Sequence, residues 1–201
     1  MDGGCEEVTF SMARGSRLRA LRFALIGFLL VACHARAGDG VTDLAGHPVD
    51  PFAADATATV LVFVATDCPV SNRYAPELRR IYERFAPKGV VFRLVYPSVE
   101  ESAAQIRDHV REFGFPFTAL RDPSHSLVAR ARAKVTPEGA VFTRAGELAY
   151  HGRIDDRQVD FGVARPEPTH RDLEDAIEAV LAGHRPSETV APAIGCAISG
   201  S

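Results

Sequence analysis

Four cysteines, Cys5, Cys33, Cys68 and Cys196, are the residues of this 201-residue chain best suited to covalent chemistry, and their settings differ. Cys68 ends the run Val60-Leu-Val-Phe-Val-Ala-Thr-Asp-Cys-Pro. The β-branched, apolar part of that run reads as a buried strand. From Ser71 onward the apolar residues Tyr74, Leu78, Ile81, Tyr82 and Phe85 fall at helical spacing, and Pro69 suits a first helical turn. Cys68 is thus expected at a strand-to-helix junction, where free N–H groups and the helix dipole favour a thiolate. Arg73 adds a cation nearby in sequence. The plainer reading, a small buried hydrophobe, competes with a reactive thiol. The polar Thr66-Asp67 pair and the following proline favour the thiol.

The elements that would position this sulfur follow in order. Val41–Val49 reads as strand, turn, strand, with Gly46 and Pro48 in the turn and His47 as a surface turn residue. After the Cys68 helix, Val90–Tyr96 is a second buried strand, so strand, helix and strand form a right-handed parallel crossover. A helix is expected over Glu100–Phe113 on the spacing of Ile106, Val110 and Phe113, with Gly114 as its stop. His109 is assigned to the polar side of that helix, and His125 to a cap or the surface. A short strand over Phe115–Asp122 and a short helix over Leu127–Ala133 lead to Val135-Thr136-Pro137. Ala140–Ile154 reads as a hairpin about Ala145-Gly146, and His151–Arg157 as a solvated strand end. Thr169 is the expected N-cap of a helix over Arg171–Leu181. Residues 185–201, with two prolines and no helical period, read as an extended arm carrying Cys196.

Strand, Thr-x-Cys-Pro and amphipathic helix, followed much later by Thr136-Pro137 and a strand, resemble the active-site element and Thr-Pro turn of the thioredoxin superfamily. More narrowly the chain resembles the exported redoxin and peroxiredoxin-like branch, of AhpC/TSA type. The resemblance covers roughly residues 40 to 183 by element order. It implies an α/β, thioredoxin-like fold: a central mixed β-sheet flanked by helices, with an N-terminal β-hairpin and an extended C-terminal tail. It also implies that Pro137, in a cis bond, packs against the sulfur. The expected pocket is Thr66, Pro69, Arg73, Thr136 and Pro137. Cys68 and Cys196 are the expected catalytic pair, the second resolving the oxidised first as an intramolecular or intersubunit disulfide. Gly195 would allow the approach.

Departures from relatives narrow the chemistry. Ser71 stands where a dithiol oxidoreductase has its second cysteine, and Asn72 where copper-delivery relatives have theirs. A peroxiredoxin's Pro-x-x-x-Thr-x-x-Cys is one residue short here, at Thr66-x-Cys68, with Val62 where that spacing seeks the proline. The leading expectation is a thiol oxidoreductase acting on peroxide or on a protein disulfide or thiol partner, with no cofactor and no metal. The competing expectation is a non-catalytic binding module for copper or a partner protein, with Cys68 and His125 or His151 as ligands.

The N-terminus sets the compartment. Arg14, Arg17, Arg19 and Arg22 precede the apolar run Phe23–Val31, a secretory pattern too short for a comfortable membrane span. Met12 reads as the true start. Leu30-Val-Ala-Cys33 fits a lipobox with Cys33 lipidated, and Ala35-Arg-Ala37 fits ordinary cleavage. The expected organisation is a signal peptide over 1–37, a redoxin domain over 38–184 and a tail over 185–201. The mature protein would then work in the periplasm or anchored to its membrane, where disulfides persist. Formal net charge is −3 for the chain and −4 once residues 1–32 are removed, with no Trp and four Tyr. Neither charge nor aromatic content suits a nucleic-acid partner.

Overall fold

The computed structural model describes residues 40–199. The export segment, with Cys5 and Cys33, lies outside them. In chain order the elements are β1 (Ala58–Phe63), α1 (Pro69–Arg73), α2 (Ala75–Phe85), β2 (Val90–Tyr96), α3 (Ala103–Phe113), β3 (Thr118–Arg121) and α4 (Ser126–Ala131). There follow β4 (Val135–Thr136), β5 (Glu138–Thr143), β6 (Leu148–Gly152), β7 (Gln158–Asp160), β8 (Val163–Ala164), α5 (Asp172–Leu181), β9 (Val190–Ala191) and β10 (Cys196–Ala197).

The main sheet has the order β3-β2-β1-β5-β6-β9. Strand β1 lies at its centre with all six side chains buried, as a continuous apolar run requires. It pairs in parallel with β2 and antiparallel with β5. One face carries Val60, Val62, Leu78, Ile81, Phe85, Phe92 and Leu173; the other carries Leu61, Phe63, Val95, Leu127 and Phe142. Burying each such side chain contributes about 1.5–3 kcal/mol, which makes β1 the rigid base for whatever leaves its end. Phe63 is opposite Glu138, so the chain leaving β1 towards Cys68 and the chain entering β5 from Pro137 meet at one end of the sheet. This is a mixed-sheet, thioredoxin-like α/β fold.

Several local features differ from what spacing alone suggests. The single helix expected from Ser71 is two, α1 and α2, broken at Tyr74 with Pro76 in the first turn of α2. Pro76 has no N–H to continue the ladder, and its ring opposes the preceding turn. The lead-in hairpin is a turn closed by the bridge Thr42–Pro48, and Thr42 also bridges Arg121. His109 is only 4% exposed, not solvated. It lies three residues after Ile106 and four before Phe113, on the apolar face itself, and stacks near Phe113 and Phe115. The stretch after His151 is not a solvated end either: Asp155 and Asp156 are buried. Asp155 accepts from Tyr74 Oη at 2.6 Å, and Asp156 accepts from Thr169 and His170 N–H groups. Thr169 therefore serves Asp156, while Arg171 is the N-cap of α5. The tail is docked, not free. Strand β9 joins the main sheet beside β6, and β10 pairs with β4.

Asp122, fully buried, organises the entry to α4. Its carboxylate accepts from the N–H groups of Ser126, Leu127 and Val128 and from the Ser126 hydroxyl, satisfying the free donors of the first turn. The turn places His125 at φ 57°, in the left-handed region. Asp122→Ala strands three of those donors. It is expected to lower stability by about 2 kcal/mol in urea unfolding, with the far-ultraviolet spectrum of the folded state retained.

Candidate active site

Cys68 occupies the N-cap position of α1, with Pro69 as the first helical residue. Its side chain has no exposed surface. At the same end of the sheet, the Thr136–Pro137 bond is cis, and Cys68 Sγ lies 3.0 Å from the Thr136 carbonyl oxygen, which accepts from the thiol. The Glu138 carboxylate holds the approach to this turn by accepting from Lys134 N–H at 2.8 Å and Val135 N–H at 3.3 Å. Its other oxygen bonds His151 Nδ1 at 3.2 Å.

The tail supplies the second sulfur. Cys196 pairs across β10–β4 with Thr136, and Ala197 with Val135. Ile198 N–H donates to the Lys134 carbonyl at 3.0 Å, and the Ile198 side chain is buried in the core. Gly195 crosses the Thr136 carbonyl so closely that a Cβ there would lie 2.1 Å from that oxygen. With the tail held this way, Cys196 Sγ lies 2.7 Å from Cys68 Sγ, both being free thiols. A disulfide needs about 2.05 Å, so closure asks for a small displacement and no refolding.

The two sulfurs differ electrostatically. Burial pushes the Cys68 thiol up, but hydrogen bonds from Cys196 and from the Ser71 side chain and N–H outweigh it, leaving Cys68 below the ordinary thiol value. Cys196 is pushed up to about 12 by burial, by the hydrogen bond it gives Cys68 and by that neighbour's negative charge. Ser71 Oγ is buried and has no partner while Cys68 donates to Thr136. That hydroxyl is among the groups that lower the Cys68 pKa. Of the two thiols, Cys68 is therefore the one that ionises more readily.

Other expected site residues fall less directly around the sulfur. The Thr66 N–H donates to Glu101 Oε1 at 2.5 Å, and its hydroxyl also serves that carboxylate. Arg73 is exposed at the end of α1 and is not among the groups that shift Cys68. Pro69 is exposed and sets the helix start. Among the described residues no group of three or more His, Cys, Asp or Glu side chains is placed to hold a metal ion.

Sequence reasoning missed a buried polar chain behind the Cys68 loop. Asn72 Nδ2 donates to the Thr66 carbonyl at 3.4 Å, which fixes Asn72 Oδ1 as an acceptor. His109 Nε2, 2.8 Å away, must then donate to it, and the neutral ring's Nδ1 accepts from Tyr96 Oη at 2.7 Å. The clue was available, since His109 shares the spacing of Ile106 and Phe113.

Residues 40–151 match the AhpC/TSA family. Among solved structures, the chain is similar to an uncharacterised conserved protein from Geobacillus kaustophilus, at 28% identity and a TM-score of 0.68, covering 80% of this chain and 87% of that one. A hypothetical protein from Sinorhizobium meliloti is similar at 27% identity and a TM-score of 0.67, covering 80% and 90%. A thiol:disulfide interchange protein of the thioredoxin family from Chlorobium tepidum shares the fold at 15% identity and a TM-score of 0.51, covering 70% and 90%. No curated protein matches the chain.

Two measurements follow from this geometry. Thiolate absorbance at 240 nm should titrate for Cys68 below the ordinary thiol value of 9.0, and Cys196→Ser should alter that midpoint by replacing the donor. Cys196→Ala, which removes the donor, should raise it. A midpoint unchanged by Cys196→Ala would sever the two sulfurs. For His109, burial holds the folded-state pKa below 6.5, so the unfolded chain binds more protons as pH falls through that value. Stability should therefore decline on acidification below about 6.5, and His109→Gln should flatten that decline in thermal melts between pH 7 and pH 5.

Proposed function

The chain belongs to the AhpC/TSA family, and we propose that it is an exported thiol oxidoreductase of redoxin type in which Cys68 attacks and Cys196 resolves. The observation that carries this reading is the tail strand that pairs Cys196 with Thr136 and brings the sulfurs to 2.7 Å.

The same strand bears on the substrate. Among the described residues the edge of β4 is paired with the tail, and Cys68 is wholly covered. An extended protein segment would have to displace the tail strand from β4, whereas a small peroxide needs only a local opening over Cys68. In the proposed cycle the Cys68 thiolate attacks one peroxide oxygen and the O–O bond breaks. Cys68 becomes a sulfenic acid, and the leaving alkoxide or hydroxide takes a proton from solvent. The Cys196 sulfur then attacks the Cys68 sulfur, its proton joins the departing hydroxyl, and water leaves as the disulfide forms. An external thiol closes the cycle.

A second reading, exchange with a protein disulfide, is favoured by one observation. The Thr66 hydroxyl is engaged by Glu101 and Arg73 is exposed, so neither is held at Cys68 to polarise a peroxide. The two readings separate kinetically. In the first, hydrogen peroxide oxidises the reduced protein with one disulfide per peroxide, Cys196→Ser halts at a Cys68 sulfenic acid, and Cys68→Ser loses at least about 100-fold in rate. Peroxide inertness with rapid oxidation by a disulfide-bonded protein would replace the first with the second.

Export rests on the basic and apolar N-terminal pattern and on a cysteine pair suited to an oxidising compartment. The mature protein from cells should begin at lipidated Cys33 or at Gly38. A retained segment before residue 33 in the intact mass would contradict export by either route.

A further inference from the structure

A cleft of about 330 Å³ opens beside the tail, between the Pro97–Glu100 loop and residues 196–199. Cys196 and Thr136 line it; Cys68 does not. If the disulfide of the proposed function forms, Cys196 is thus the sulfur that the cleft presents. The charged side chains lining it are Asp67 and Glu100, with no Arg or Lys. His125 also lines it, and its Nε2 is 3.1 Å from the Pro97 carbonyl oxygen. That oxygen can only accept, so Nε2 carries the proton and neutral His125 keeps its lone pair on Nδ1. A non-glycine residue at φ 57° is uncommon, and here the buried Asp122 turn holds it.

We propose that this cleft is the docking site of the reducing substrate, a small uncharged or cationic thiol, with His125 accepting the proton of that thiol. The inference rests on the cysteine pair of the proposed function. The thiol loses its proton to His125 and its sulfur attacks Cys196 Sγ. The Cys68–Cys196 bond breaks, and Cys68 leaves as the thiolate that Ser71 stabilises. A second thiol molecule attacks the sulfur of the bound first one, releasing a small disulfide and returning Cys196, which takes up a proton. One disulfide is reduced and two thiols are oxidised. Direction is set at the first step, because the lower-pKa sulfur is the better leaving group. Anionic thiols meet Asp67 and Glu100, whose repulsion at several ångströms in screened water is sufficient for about a tenfold discrimination.

The test starts from full-length mature protein oxidised with copper–phenanthroline, so that it does not depend on peroxide. Limiting cysteamine followed by acid quench and peptide mapping should give an adduct on Cys196 with Cys68 free. Rates with cysteamine and with mercaptoacetate, each divided by that thiol's rate with hydroxyethyl disulfide, should favour cysteamine about tenfold, and Asp67→Asn with Glu100→Gln should erase the difference. His125→Asn tolerates the left-handed backbone and keeps a polar side chain but removes the ring base, so it should slow reduction at least about tenfold. His125→Gly should be slow likewise and recover with added imidazole, which a structural role would not explain. An adduct on Cys68, no charge preference, or full speed in His125→Asn overturns the cleft while leaving the cysteine pair intact. Failure of copper–phenanthroline to link Cys68 to Cys196 overturns the pair itself, and the cleft with it.

Discussion

The pairing of two tail residues with the strand before the cis proline is the constraint on which the site depends. A main-chain ladder between Cys196-Ala197 and Val135-Thr136 fixes the position of Cys196 at the end of the main sheet, and the register of β1 against β5 fixes that of Cys68. Gly195 is needed because the crossing leaves no room for a side chain over the Thr136 carbonyl. Ile198, buried just beyond, anchors the strand on the core. Backbone pairing and apolar burial together thus bring the sulfurs of residues 128 positions apart into contact.

Proximity alone would make two equivalent thiols. The asymmetry comes from what surrounds each sulfur. Cys68 caps a helix with the Ser71 N–H and hydroxyl nearby to lower its pKa, whereas Cys196 begins a two-residue strand and donates a hydrogen bond to Cys68 while keeping its own proton. The serine at the place of a second helix cysteine therefore bears on the same sulfur. It cannot form a disulfide, but it is placed to lower the pKa of Cys68. Behind the loop, the chain from Tyr96 through His109 and Asn72 to the Thr66 carbonyl sets the backbone leading to Cys68.

Much of this was legible in the sequence where local pattern and tertiary demand coincide. The apolar run ending at Phe63, the proline after Cys68 and the Thr136-Pro137 pair each mark the same edge of the fold, and the mixed sheet follows from their order. Polar residues taken up by the interior were not legible. His109 follows the apolar spacing although its type alone suggests solvent, and Asp155 and Asp156 read as surface charges although Tyr74, Thr169 and His170 partner them inside. Pro76 announced the break between α1 and α2 but lay within a strong helical period. Strand formation by the tail could not be read locally, because two residues hold no period and their partner lies 60 positions earlier.

The central claim is that Cys68 and Cys196 form one redox unit within a single chain. Non-reducing peptide mapping of the mature, reduced protein after one equivalent of hydrogen peroxide tests it most directly, with intact mass reporting the chain number. The account predicts a Cys68–Cys196 linked peptide at monomer mass, lost on reduction. Cys68 oxidised with Cys196 untouched, or a Cys68–Cys196 link found only at dimer mass, would contradict it.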